Sequence, residues 1–254
     1  MNLKDFKNYC KNNSDLFKRK TDGFDYIENG ITLWEGFLFQ SLCKFKDIDI
    51  ILESGVAGGR STEIWSKTFN GNIYAIDSAL YYGLGRFEET KKRLAKYKKT
   101  TVLNDDSFFK IPQLIKKYGD SKIAIFIDGP KGNPAISLMK KCLSFDNVLF
   151  VGIHDQCKDK KYRSMSRVNV EQIYSDESWF LKSYKKLENF ENKCLKKELL
   201  TNPNGPGLGV AFNDFNIKFT FLDRLEYFYY SWKSFIISLI LRLRLRLRLR
   251  LRLR

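Results

Sequence analysis

One short stretch constrains this chain more than any other: Ile50-Ile-Leu-Glu-Ser-Gly-Val-Ala-Gly-Gly-Arg-Ser-Thr62. An apolar run ends in an acid, passes through a glycine-rich bend and enters a segment able to be helical. That pattern is how a buried parallel strand turns into a helix whose N-terminus faces a ligand. Gly55, Gly58 and Gly59 remove side chains where backbone turns sharply or lets a ligand approach. Ser61 and Thr62 stand where hydroxyls satisfy the free N–H groups of a first helical turn.

The dinucleotide fingerprint G-x-G-x-x-G is incomplete here, because Ala57 replaces its second glycine. Further along, Asn72-Ile-Tyr-Ala-Ile-Asp77 reads as a strand ending in a carboxylate, able to accept hydrogen bonds from vicinal ribose hydroxyls. A third strand, Thr100-Thr-Val-Leu, runs into Asn104-Asp-Asp-Ser-Phe108. Its carboxylate and hydroxyl can read an adenine edge or, equally, form an Asx-turn that caps the next helix.

The order E-x-G-x-x-x-G-x-S, with Glu53, Gly55, Gly59 and Ser61, resembles the Rossmann-like methyltransferases that use S-adenosylmethionine, and most closely their catechol-type O-methyltransferases. The resemblance runs from about Leu33 to about Phe212. It implies an α/β fold, a doubly wound and mostly parallel seven-stranded sheet with helices on both faces. It also implies that Glu53, Ser61 and the bend through Gly55, Ala57 and Gly59 hold the methionine part of the donor. Asp77 would hold the ribose and Asp106 with Ser107 the adenine, although Asp105 stands where the family usually has glycine.

Two more strands bring chemistry to one place. Ile123-Ala-Ile-Phe-Ile-Asp128-Gly-Pro-Lys131 is continuously apolar, as expected of a strand covered on both faces. Asn147-Val-Leu-Phe-Val-Gly-Ile153 ends in His154-Asp155-Gln156. Their tips present two carboxylates, a carboxamide, a lysine and the only histidine of the chain. Asp128, Asp155 and Gln156 would suit Mg²⁺, which prefers oxygen donors. Lys131 would take the acceptor's proton if its pKa were depressed, and His154 is a rival base. In the resembled enzymes an Asp, a Lys three residues later and an Asp-Asn pair fill these places, so Gln156 departs from the pattern, and Asp128 also borders the donor site. A metal-free reaction is the alternative, because alignment of a reactive sulfonium supplies much of the rate.

At 254 residues and 43% hydrophobic, the chain can bury one substantial core. Five scattered cysteines without a C-x-x-C pair argue against a disulfide framework and for a cytoplasmic setting. Cys157 stands near the proposed site with nothing to mark it as a nucleophile, and the polar N-terminus shows no secretory signal. Setting aside the seven arginines of the terminal repeat brings the net charge from +16 to +9. The run Lys158 to Arg167 could collect an anionic substrate. No Asn/Asp-Pro-Pro-Tyr/Phe motif accompanies the basic balance, so nucleic acid is not the expected partner; a small-molecule or glycan-like acceptor is.

Residues 1–30 read as a helical cap and 31–215 as the S-adenosylmethionine-binding domain, entered by an amphipathic helix over Ile31–Phe45. Helices are expected at Thr62–Thr68, Gly85–Tyr97, Ile111–Tyr118, Pro134–Leu143 and Glu177–Leu187. The charged insertion after Gln156 would build specificity, and Asn202 to Phe212 would feed the last, antiparallel strand. Residues 216–240 read as an apolar amphipathic helix, whose uninterrupted apolar stretch, Ser234 to Leu241, is too short to span a bilayer. It would pack on the domain or lie at a membrane, giving 217–254 peripheral contact at the inner face. The Leu-Arg repeat over 241–254 has period two and is expected to be disordered or ordered only by a membrane. Rival functions are a nicotinamide-dependent oxidoreductase, disfavoured by the missing glycine, and an inactive scaffold at the membrane.

Overall fold

The computed structural model describes residues 1–24, 30–79, 83–156, 164–187, 207–213 and 219–252. Helix α1 (Leu3–Lys20) and helix α2 (Leu33–Phe45) precede strand β1 (Ile50–Ser54). Then come α3 (Arg60–Thr68), β2 (Asn72–Asp77), α4 (Leu84–Leu94), β3 (Thr100–Asn104), α5 (Ser107–Lys117), β4 (Ile123–Ile127), α6 (Asn133–Leu143) and β5 (Val148–Ile153). Strand β6 (Gln172–Tyr174), α7 (Ser178–Tyr184), β7 (Gly209–Phe212) and α8 (Phe221–Arg252) complete the order.

The strands form one seven-stranded sheet in the order β3-β2-β1-β4-β5-β7-β6. Strands β1 to β5 pair in parallel, and β7 runs antiparallel to both β5 and β6. This is the doubly wound α/β sheet expected, with its antiparallel strand where the resemblance puts it. Alternate residues of the central strands face opposite layers. Ile51, Ala124 and Phe126 join an aromatic core under α1 to α3, while Leu52, Ile125 and Ile127 join the layer under α5 and α6. Coverage of both faces explains why β4 is apolar without a break. The order reverses between β1 and β4, so the crevice beyond their carboxyl ends is where such sheets bind ligands.

Three elements differ from expectation. Helix α2 is not amphipathic: every residue from Leu33 to Cys43 is buried, because α1 covers the side left by the sheet. The rings of Phe17 and Phe37 meet at 5.1 Å across that contact. Strand β6 lies inside the segment read as a charged insertion; three residues alternate too briefly to stand out. Residues 157–163 of that insertion, with Cys157 and most of its basic run, fall outside the described residues, as do Cys194 and Asn202. The other three cysteines are buried and unpaired.

The third difference is at the end of the chain. The helix begun at Phe221 continues into the Leu-Arg repeat as far as Arg252, where disorder was one expectation. Its start is fixed by reciprocal capping between Thr220 and Asp223, with Thr220 N to Asp223 Oδ2 at 2.9 Å and Asp223 N to Thr220 Oγ1 at 3.2 Å. Asp223 also takes Lys140 of α6 at 2.7 Å. A second anchor has a cause in the sequence. Pro112 sits inside α5 and has no N–H for the carbonyl of Phe108, one helical turn back. The hydroxyl of Tyr227 donates to that carbonyl instead.

Candidate functional site

The glycine-rich bend is held from behind. The N–H groups of Val56 and Ala57 donate to Asp77 Oδ2 at 2.8 and 2.7 Å. Thr90 of α4 donates to the Ala57 carbonyl at 3.1 Å, and Arg93 reaches both the Gly58 carbonyl and Glu63. Ala57 has φ 44°, so the position where the fingerprint has its second glycine still needs left-handed backbone. Gly55 has φ +88°, and a Cβ there would lie 2.6 Å from the amide nitrogen of Gly129. It allows the ends of β1 and β4 to touch. Gly59 is needed for packing against α4, since its Cβ would come within 3.1 Å of Thr90, Arg93 and Leu94.

Glu53 is wholly buried and accepts hydrogen bonds from Ser61 and Thr62 in the first turn of α3. Burial pushes its carboxyl up to about 8, against the pull of the two hydroxyls. Both predicted residues therefore brace the bend from inside the protein, and neither lines the cleft.

That cleft, of about 300 Å³, lies over the carboxyl ends of β1, β2 and β4. Gly55, Asp77, Asp106, Ser107, Asp128 and Lys131 all line it, together with Ser234 of α8. Six residues singled out from four separate segments of sequence thus converge. Asp77 is 8% exposed, and burial raises its pKa despite the loop N–H groups that it accepts. Asp106 caps α5 through the Phe108 N–H at 2.8 Å and accepts the Ser234 hydroxyl. Burial raises its pKa as well, opposed by the Ser234 hydrogen bond.

At the other side of the cleft stands a line of alternating charges. Lys131 Nζ lies 2.5 Å from Asp128 Oδ1 and 2.6 Å from Asp155 Oδ2. His154 Nδ1 lies 2.8 Å from the same Asp128 oxygen and 3.3 Å from Asp155. On its far side Nε2 faces Glu35, 3.6 Å away. Burial alone would lower the pKa of His154, but Asp128 and Glu35 outweigh it and hold the imidazole well above its ordinary range. Burial would also lower Lys131, yet Asp128 and Asp155 hold it raised, opposite to the depressed pKa on which the role of base depended. Burial would raise Asp128; His154 and Lys131 instead bring it to about 2. His154 is 3% exposed and Lys131 half-exposed, so only the lysine meets the cleft.

Glu35 was not legible as a site residue. It sits in a capping box at the start of α2, accepting Thr32 N at 2.8 Å, and this local role hides its position beneath His154. Ser234 was hidden likewise, as a small polar residue in a segment read as apolar.

The three-oxygen donor set that the resemblance implies for a metal is not assembled here. Asp128, His154 and Asp155 each bring one atom to within 4.8 Å of the others. The Gln156 oxygen, however, accepts Met165 N at 3.1 Å, and its nitrogen faces Ser164 Oγ at 3.2 Å. Gln156 is buried, its amide taken up by Ser164 and Met165. The Lys131 ammonium bridges the two remaining carboxylates, which makes the cluster neutralise itself.

No protein-family model and no curated protein matches the chain. Among solved structures the fold is similar to the S-adenosylhomocysteine-bound methyltransferase PaMTH1 of Podospora anserina, at 12% identity over 81% of this chain and 93% of that one, with a TM-score of 0.43. It is also similar to an O-methyltransferase of Bacillus cereus in complex with S-adenosylhomocysteine, at 13% identity, 81% and 90% coverage and a TM-score of 0.43. A third is TomG of Streptomyces achromogenes in complex with S-adenosylmethionine, at 14% identity, 78% and 87% coverage and a TM-score of 0.42. These likenesses concern the arrangement of the chain.

Proposed function

We propose that this protein is an S-adenosylmethionine-dependent methyltransferase acting on an oxygen of a small-molecule or glycan-like acceptor. The observation that carries the reading is the cleft at the β1/β4 switch point. There a braced glycine bend, Asp77 from β2, and Asp106 with Ser107 after β3 meet around one hollow. An acid at the tip of β2 suits ribose hydroxyls, and the polar start of α5 suits the adenine edge. Gly55 and the backbone beside it leave room for the methionine part. Glu53, Ser61 and Gly59 act by keeping that bend in shape.

In the reaction the acceptor oxygen attacks the methyl carbon in line. The new C–O bond forms as the C–S bond breaks, and S-adenosylhomocysteine leaves with both electrons of that bond. Holding donor and acceptor in this alignment supplies much of the rate. Lys131 is the catalytic residue of choice, since its ammonium opens on the cleft and can hold the acceptor oxygen. The acceptor's proton then passes to a carboxylate oxygen of Asp155, which the Lys131 ammonium holds beside it. His154, with both ring nitrogens facing carboxylates, is a positioning residue that fixes Asp128. No step requires a metal.

Isothermal titration with S-adenosylmethionine, S-adenosylhomocysteine and NAD⁺ tests the reading. Binding of the first two alone is the expected result. Binding of NAD⁺ alone would favour an oxidoreductase, and binding of none of them would leave a scaffold.

A further inference from the structure

Helix α8 has two faces with opposite fates. One carries Asp223, Tyr227 and Ser234, which hold the helix to α6, to the orphaned Phe108 carbonyl and to Asp106. The other is apolar and open. Phe221, Phe228, Trp232, Phe235, Ile236 and Leu239 are each between 46% and 72% exposed. At about 100° per residue these side chains fall within one arc of about 100°, a continuous stripe along about five turns. An exposed apolar patch of that extent marks a surface of interaction.

We propose that this stripe lies on an anionic lipid bilayer. Charge decides the occupant. The same helix runs on into the Leu-Arg repeat, which adds seven positive charges to a body already at +9. A second copy would bring the same +16 against itself, whereas anionic headgroups complement it. The composition agrees, since Trp, Tyr and Phe along one face with arginine at the end is the make-up of helices lying in the interface plane. No helix among the described residues is long and apolar enough to cross a membrane, so the helix lies on the surface. Its inner face forms a wall of the cleft at Ser234, one helix diameter of about 10 Å from the lipid.

The test uses the full chain without cofactor, so it stands apart from the methyltransferase reading. Protein is sedimented with vesicles of phosphatidylcholine alone and of phosphatidylcholine mixed with phosphatidylglycerol. Partition onto the mixed vesicles should be at least tenfold stronger and should fall as salt is raised. The exposed triple variant Phe228→Ser, Trp232→Ser, Phe235→Ser should weaken it at least tenfold. Brominated acyl chains should quench a fluorescence that Trp232→Phe removes, since Trp34 and Trp65 are buried and the half-buried Trp179 remains in that variant as a control. Equal binding to both vesicle types, absence of quenching, or unchanged partition of the triple variant would each overturn the proposal. So would a lipid-free dimer that the same substitutions abolish.

Discussion

Replacing Glu53 with glutamine should remove a pH dependence of stability that one buried carboxyl creates. The native residue is wholly buried between the sheet and the first turn of α3, and its pKa is pushed from 4.5 to about 8. Between those values the folded protein keeps a proton that the unfolded chain releases, so stability falls as pH rises through that window. Each unit corresponds to about 1.4 kcal/mol, which makes the full loss about 5 kcal/mol by pH 8. Glutamine keeps the shape, accepts from one of Ser61 and Thr62 and donates to the other, and does not titrate. Asp77 and Asp106 add slopes of the same sign to both proteins and cancel in the difference. Urea unfolding from pH 5 to pH 8 should therefore show the variant gaining on the native protein by several kcal/mol as pH rises. Parallel curves for the two would refute the burial argument.

His154 is the only histidine, so its ring gives single, unambiguous NMR signals. They should titrate well above 6.5, and Glu35→Gln should move the midpoint down while leaving the α2 cap intact. The stabilisation from the charged ring is complete below its unfolded value and is lost as pH rises through its folded one; a midpoint near 6.5 in the native protein would contradict the ion-pair reading. Lys131→Met should lower methyl transfer by about 10²-fold or more while cofactor affinity by calorimetry stays within about threefold; equal losses in both would make Lys131 a binding residue. Ser234→Ala frees an Asp106 oxygen that faces the cleft and should tighten S-adenosylhomocysteine about threefold by titration; unchanged affinity would mean that Asp106 does not meet the ligand. EDTA should leave turnover undiminished, and a loss restored by Mg²⁺ would reinstate a metal.

Apart from β6, the sheet was legible because its strands are short apolar runs that end in polar residues or glycines. Buried parallel strands leave that mark whatever covers them. Asp77, Asp106, Asp128 and Lys131 were legible for the same reason, as polar residues at strand ends must gather along one rim. What was not legible depended on contacts distant in sequence. Glu35 and His154 are 3.6 Å apart in space and more than a hundred residues apart in the chain. Gln156 looked like a ligand by type and position, but its amide is taken by the turn at Ser164 and Met165. The anchoring of α8 followed from Pro112, whose missing N–H only matters once Tyr227 is seen beside Phe108. Lysine at a strand tip suggested a base; only the two carboxylates around it reversed the direction of its pKa.

A crystal structure of the protein with S-adenosylhomocysteine bears most directly on the central claim. The ligand should lie in the cleft over β1 and β4, its ribose hydroxyls on Asp77, its adenine beside Asp106 and Ser107, and its sulfur facing Lys131. A ligand bound elsewhere on the molecule, or a cleft left empty by a saturating soak, would contradict it.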